Sequence, residues 1–203
     1  LDELTDIANT LKIGNAESFI ANISEKSSSI HMLQLAVIGR YSTGKSTLIN
    51  SLLSMNILPT SPTPTTKAIT YILKGKKDSL AIEYPTGEII IKDGVAELSS
   101  IYNDQITQAR KMTISLEHFP FDHLAIVDTP GLEEPDQDIA QLTLNMVPEA
   151  DAVVVLLDAN YLQSKAEFEF ISSLLHNDKD RKLFIVINKT DGKSQDDVTH
   201  LVN

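Results

Sequence analysis

The sequence of 203 residues contains no cysteine. Disulfides, thiol nucleophiles and Cys-ligated zinc or iron–sulfur centres are thereby excluded, and a reducing compartment fits. Basic residues are few: 17 Lys and Arg stand against 28 Asp and Glu, a formal net charge of −11. An acidic surface repels phosphate backbones, so no nucleic-acid partner is expected, although one small basic pocket remains compatible with the charge. No run approaches the roughly 20 apolar residues that cross a bilayer. The opening LDELTDIANT is acidic and polar, unlike a signal peptide, and has no initiator methionine. The expectation is a cytoplasmic chain that is a fragment or processed form. The five histidines (31, 118, 123, 176, 200) are scattered and show no zinc spacing.

Hydrophobic residues make up 42% of the chain, enough for a substantial core without disulfides. Residues 1–28 read as a helical lead-in, with Leu4, Ile7 and Leu11, then Phe19, Ile20 and Ile23, at helical spacing. Gly14 and Asn15 divide it, and Ser27 to Ser29 mark a boundary, which leaves 29–203 as one domain. There HMLQLAVI (31–38) is a predicted strand and STLINSLLS (46–54) a helix. Pro59, Pro62 and Pro64 make 55–66 irregular. AITYILK (68–74) and SLAIEY (79–84) alternate as strands paired around the Gly75–Lys77 turn, with EIIIK (88–92) as a third. An amphipathic helix is predicted over 95–111, then strands MTISLEH (112–118) and HLAIVD (123–128). Helix 136–146, strand 151–158, helix 164–176 and strand 182–188 follow. AVVVLL and LFIVI are apolar throughout, as strands buried on both faces are. The fold class is α/β: a mostly parallel sheet, helices on both faces and an antiparallel strand insert.

Gly39-Arg40-Tyr41-Ser42-Thr43-Gly44-Lys45-Ser46 follows an apolar strand and opens a helix. Converging backbone N–H groups need a tight turn where side chains do not obstruct, and the helix start adds positive potential. Lys45 would reach the β- and γ-phosphates and the Ser46 hydroxyl would ligate Mg²⁺. Gly39, Tyr41, Ser42, Thr43, Gly44, Lys45, Ser46 and Thr47 are the candidate phosphate contacts. Asp128-Thr129-Pro130-Gly131 ends the strand HLAIV; alone it is an ordinary turn. Two strands after a phosphate loop, Asp128 can hold Mg²⁺ through water and the Gly131 N–H can sense the γ-phosphate. Asn188-Lys189-Thr190-Asp191 ends the strand KLFIVI. Asp191 can accept from guanine N1–H and its 2-amino group, a pattern adenine lacks. Asn188 can bridge to the base or to the phosphate loop, and the Lys189 stem can cover the ring. Thr63, Thr65 and Thr66 are all candidates to ligate Mg²⁺ and orient water; the residues alone do not choose. Asp151 and Asp158 read as loop and cap residues, and Glu133, Glu134, Asp136 and Asp138 as a solvated helix start.

These elements in this order match GTPases of the phosphate-loop class. GRYSTGKSTLINSLL, SMNILP and TSPTPTTKAITYI resemble the dynamin superfamily, above all bacterial dynamin-like proteins and mitofusins, from His31 to Asp191. The resemblance implies a GTP/GDP ligand with Mg²⁺ and hydrolysis to GDP and phosphate. It assigns the switch threonine to Thr66, and so a metal set of Ser46, Thr66 and Asp128 and a catalytic set of Ser42, Lys45, Thr66 and Gly131. It gives Ser42 a part in positioning a monovalent cation or the attacking water; Tyr41 stands where dynamins proper carry glutamine. Leu132 stands where Ras-type proteins place a catalytic glutamine. The water then falls to the Thr66 main chain, to Ser42 or to a second G domain. A homodimer through G domains, and membrane remodelling through regions outside this chain, are also implied. The final strand and second base-contacting loop are expected beyond Asn203, and 1–28 as the start of a stalk helix. A ribosome-assembly or tRNA-modification GTPase, and a nucleotide-dependent scaffold without hydrolysis, are the alternative readings.

Overall fold

Three runs without polar alternation, LQLAVIG, LAIVD and AVVVLLD, form adjacent strands at the heart of one sheet. The structure is a computed structural model that describes residues 32–60, 68–95, 108–131, 146–162, 172 and 182–194. Its elements are β1 (Leu33–Gly39), α1 (Lys45–Leu53), β2 (Ile69–Lys74), β3 (Ser79–Glu83), β4 (Ile89–Asp93), β5 (Lys111–Leu116), β6 (Leu124–Asp128), β7 (Ala152–Asp158) and β8 (Lys182–Asn188). A short 3₁₀ turn, Val147–Glu149, precedes β7. The eight strands lie in the order β4-β3-β5-β2-β6-β1-β7-β8. β6, β1, β7 and β8 are mutually parallel. β2 joins β6 antiparallel and runs parallel to β5, and β3 lies antiparallel to both β5 and β4.

Burial on both faces explains the continuous apolar runs. Leu35 and Val37 of β1 pack into one core with Ile49 and Leu53 of α1; Ala36 and Ile38 pack into the other with Val147, Val153 and Val155. Fully burying such a side chain contributes roughly 1.5–3 kcal/mol. α1 covers the first face. Met146, Val147 and Ala150 cover part of the second. Asn50, itself buried, accepts from the N–H groups of Ile57 and Leu58 and donates to the Leu58 carbonyl at 2.7 Å. It pins the chain that leaves α1 against the helix.

Two expectations are corrected. β2 and β3 do not pair with each other: β5 lies between them, with Ile114 opposite Ile72 on one side and Leu80 on the other. Alternation identifies the buried face of a strand but not its neighbour, and all three strands bury the same face. LFIVI in β8 is not buried on both faces. β8 is the outermost strand on its side among the described residues, so Phe184 and Val186 pack only partly on one core and Ile185 is 50% exposed. Of the helix expected over 95–111, residues 96–107 lie outside the described residues and Lys111 belongs to β5. The lead-in 1–28, Thr63, Thr65 and Thr66, and nearly all of the helices expected over 136–146 and 164–176 lie outside the described residues.

Parallel pairing brings the carboxyl ends of β1, β6, β7 and β8 to one edge of the sheet, where ligands of open α/β sheets bind. Val37 is level with Asp128, Gly39 with Leu156, and Asp158 with Asn188. Because β2 is antiparallel to β6, it starts at this edge, with Thr70 opposite Asp128.

Candidate functional site

The loop between β1 and α1 is shaped by two left-handed residues, Ser42 (φ 59°) and Gly44 (φ 99°). Such alternation turns successive N–H groups inward and makes an anion-binding hollow. A Cβ on Gly39 would lie 2.5 Å from the Leu156 carbonyl oxygen, and one on Gly44 would lie 2.5 Å from Asn188 Nδ2. Neither position has room for a side chain. α1 starts with no side-chain cap and no acid in its first turn, so its N-terminal N–H groups and positive end face the hollow without a competing carboxylate. Lys45, 8% exposed, lies back along the loop and donates to the carbonyls of Gly39 and Arg40 at 3.0 and 2.9 Å. Thr43 turns its hydroxyl to the Arg40 carbonyl and is buried, so its side chain braces the loop. Tyr41 and Thr47 are exposed, on the loop and on α1.

The Asp128 loop meets this hollow from β6. The Ser46 hydroxyl donates to Asp128 Oδ2 at 3.2 Å, while buried Asp128 Oδ1 has no hydrogen-bond partner among the described residues. Burial pushes the Asp128 carboxyl up to about 6, against the pull of Lys45, the Ser46 hydroxyl and the Thr129 N–H. Thr129 is buried too, and its hydroxyl donates to the Val37 carbonyl at 3.0 Å, fastening the loop to β1. A Cβ on Gly131 would come within 3.0 Å of Tyr41 Cα, so the two loops touch.

The third loop closes on the first. Asn188 Nδ2 donates to the Thr43 carbonyl at 2.8 Å across 145 residues of chain. Lys189 takes a left-handed conformation (φ 60°), and its Nζ pairs with Asp158 Oδ2 at 2.7 Å. Burial would raise the Asp158 carboxyl, but hydrogen bonds from Lys189 and Asn160 outweigh it and hold it below the usual carboxylate range. Asp191 is exposed at the loop's tip.

Ser42, Thr43, Gly44, Lys45, Ser46, Asp128, Gly131 and Asn188 thus converge on one edge. Thr47 follows Ser46 in the first turn of α1, Lys189 and Asp191 flank the hollow on the β8 side, and Thr66 lies outside the described residues. Asp158, expected as a cap residue, does cap its own turn through Asn160, and it also anchors Lys189, which was not expected. Its place at the carboxyl end of a strand following the phosphate loop was the available signal. Asp151 does act as a loop residue, accepting the Gln34 N–H at 2.8 Å.

The sequence model of the dynamin family matches residues 35–190. Dynamin-like protein A of Bacillus subtilis is 29% identical over 167 residues, spanning 77% of this chain and 13% of that protein. An uncharacterized protein from the xynA 3' region of a Caldicellulosiruptor strain is 29% identical over 210 residues, spanning 100% of this chain and 51% of that protein. The chain thus spans about half the length of the one relative and much less of the other. A chain of an oligomerised bacterial dynamin pair, described with long range sensing and tethering of membranes, superposes with a TM-score of 0.70 at 22% identity. The match covers 99% of this chain and 34% of that one, and at that identity it is a likeness of fold.

Proposed function

Because the chain belongs to the dynamin family, we propose that its loop edge binds GTP with Mg²⁺ and hydrolyses it to GDP and phosphate. The observation that carries this reading is the contact of Ser46 with Asp128, which leaves a buried carboxylate oxygen unpartnered beside the phosphate hollow. A hydroxyl and one carboxylate suit Mg²⁺, which binds nucleotide sites through one or two protein oxygens and keeps several waters. Ser46 would hold the ion directly, Asp128 through water, and Thr66 from the segment that enters β2 three residues later. When bound, the ion would neutralise charge on the β- and γ-phosphate oxygens.

The chain's own groups supply the rest. N–H groups of the Gly39–Ser46 loop and of the start of α1 bind the phosphates. Lys45 sets positive charge against the β- and γ-oxygens. A water attacks the γ-phosphorus as its bond to the β,γ-bridging oxygen breaks; the Gly131 N–H contacts the γ-phosphate, and Ser42 and the Thr66 main chain help to orient that water. Asp191 reads guanine, and the Asp158–Lys189 pair holds the base loop in place. With Leu132 where a catalytic glutamine would be, the missing orientation comes from an identical G domain docked across the nucleotide face. In the whole protein the cycle is coupled to membrane remodelling by regions outside this chain. Among the described residues no helix is long and apolar enough to cross a membrane.

Isothermal titration with GTP and ATP, with and without Mg²⁺, tests the proposal together with phosphate release. Wild type should prefer GTP and need Mg²⁺ for full affinity, and Lys45→Ala should lose binding. Equal ATP and GTP affinity, or unchanged affinity in Lys45→Ala, would refute it.

A further inference from the structure

The sheet ends, opposite the nucleotide side, in a strand whose sequence mirrors its own charges: Glu88-Ile89-Ile90-Ile91-Lys92. Among the described residues β4 pairs only with β3. The Tyr84 N–H donates to the Glu88 carbonyl at 2.9 Å, the Gly94 N–H to the Asp78 carbonyl at 2.8 Å, and Ile82 is level with Ile90. Antiparallel bonding alternates residue by residue. Residues 88, 90, 92 and 94 therefore aim their main-chain groups at β3, and Ile89, Ile91 and Asp93 aim theirs at the outer edge. The side chains of Ile89 and Ile91 are 59% and 69% exposed. Both stand on the face opposite the one on which Ile82 is buried.

We infer that this edge is a self-pairing site, at which two copies of the chain join by antiparallel β4–β4 pairing centred on Ile90. Hydrogen-bond phase requires outward-facing residues to meet outward-facing residues, so the two-fold axis must pass through a residue. Centred on Ile90, Ile89 meets Ile91 of the other copy in hydrogen-bonded pairs. Glu88 meets Lys92 in the closer, non-hydrogen-bonded pairs. Centring on Ile89 or Ile91 sets a charge opposite isoleucine, and centring on Lys92 sets lysine against lysine. Parallel pairing in register opposes like charges throughout. Opposite-charge and β-branched cross-strand pairs stabilise, and like charges destabilise. Charges on an edge commonly deter pairing; here their placement deters every register but one. β4 is five strands from β1, about 24 Å at the usual strand spacing, so this contact is independent of nucleotide and distinct from docking across the nucleotide face.

Sedimentation velocity on the full chain without nucleotide, from micromolar to millimolar concentration, tests the inference. The expected result is a reversible monomer–dimer equilibrium. Glu88→Lys alone or Lys92→Glu alone reverses both symmetry-related pairs and should weaken the dimer by about tenfold. The double variant E88K/K92E restores opposite charges and should recover most of that loss, and Ile91→Lys should give monomer. Thermal melts and GTP affinity of all variants should match wild type. A monomer at every concentration, a dimer indifferent to Ile91→Lys, or a double variant no better than either single one would overturn the inference. So would a dimer seen only with GDP and aluminium fluoride.

Discussion

Asp128 sets stability against its proposed metal-holding role, and Asp128→Asn separates the two. The carboxyl is 1% exposed, with one oxygen bonded to Ser46 and the other unpartnered among the described residues. Burial lifts its pKa from 3.8 to about 6. Below both values the folded and unfolded chains are equally protonated, and the carboxyl sits in the core uncharged. As pH rises from about 4 to 6 the unfolded chain ionises first, and that advantage of the folded state is lost. Above 6 folding must bury a charge. A shift of roughly two units corresponds to about 3 kcal/mol at most. The amide has the same shape, stays neutral and can still meet Ser46. Without nucleotide and with EDTA present, urea unfolding should show the variant gaining on wild type between about pH 4 and 6. Above that it should keep a constant lead of about 1–3 kcal/mol. Adding GTP and Mg²⁺ should reverse the order, because only wild type gains the full binding stabilisation. Parallel pH–stability curves would refute the reasoning, since Asp128 would then be as well solvated folded as unfolded.

Gly44→Ala must take a left-handed φ, at about 1 kcal/mol, and drive Asn188 off the Thr43 carbonyl, losing another roughly 0.5–1.5 kcal/mol. GTP affinity by titration should fall about 10- to 100-fold. Asp191→Asn should lower GTP affinity and favour xanthosine triphosphate in competition binding, because the acceptor proposed to read guanine becomes partly a donor. Thr66→Ala should abolish phosphate release yet spare GDP binding. Wild-type turnover per molecule should rise with protein concentration, toward the roughly 10³–10⁵-fold that a trans-acting group can supply. Turnover independent of concentration, with no dimer on GDP and aluminium fluoride, would favour a GTPase that awaits a separate activator.

The tight turn before Lys45 and the helix that starts there were legible because they are local, lying within a few residues of each other. The loops at Asp128 and Asn188 gained meaning only from their order along the chain. In the structure Ser46–Asp128 and Asn188–Thr43 hydrogen bonds tie them together. The second role of Asp158, beyond its cap, was not legible because it depends on Lys189, a partner 31 residues away that only the β7–β8 register brings near. Asn50 reads as an ordinary helical residue until its bonds to Ile57 and Leu58 are seen. The parallel core was readable from continuous apolar runs. The placement of β5 between β2 and β3 was not, because alternation is the same whichever strand lies alongside. Ile185 shows the converse: an apolar run is necessary for two-sided burial but does not guarantee it.

The position of β1 between β6 and β7 has a consequence during synthesis. The first strand of the sheet finds its neighbours only much later in the chain: the Thr129 hydroxyl reaches the Val37 carbonyl from 92 residues away. At about 5–20 residues per second, the ribosome takes roughly 5–18 s to supply β6 after β1. Throughout that interval LQLAVIG has both its edges unpaired, and only the face that packs on α1 has its partner already made. Non-local pairing of this kind folds slowly and leaves apolar segments open to aggregation. The nascent chain is therefore most in need of a chaperone between the emergence of the phosphate loop and the arrival of the Asp128 loop, and synonymous changes that slow translation of residues 40–120 should lower its soluble yield.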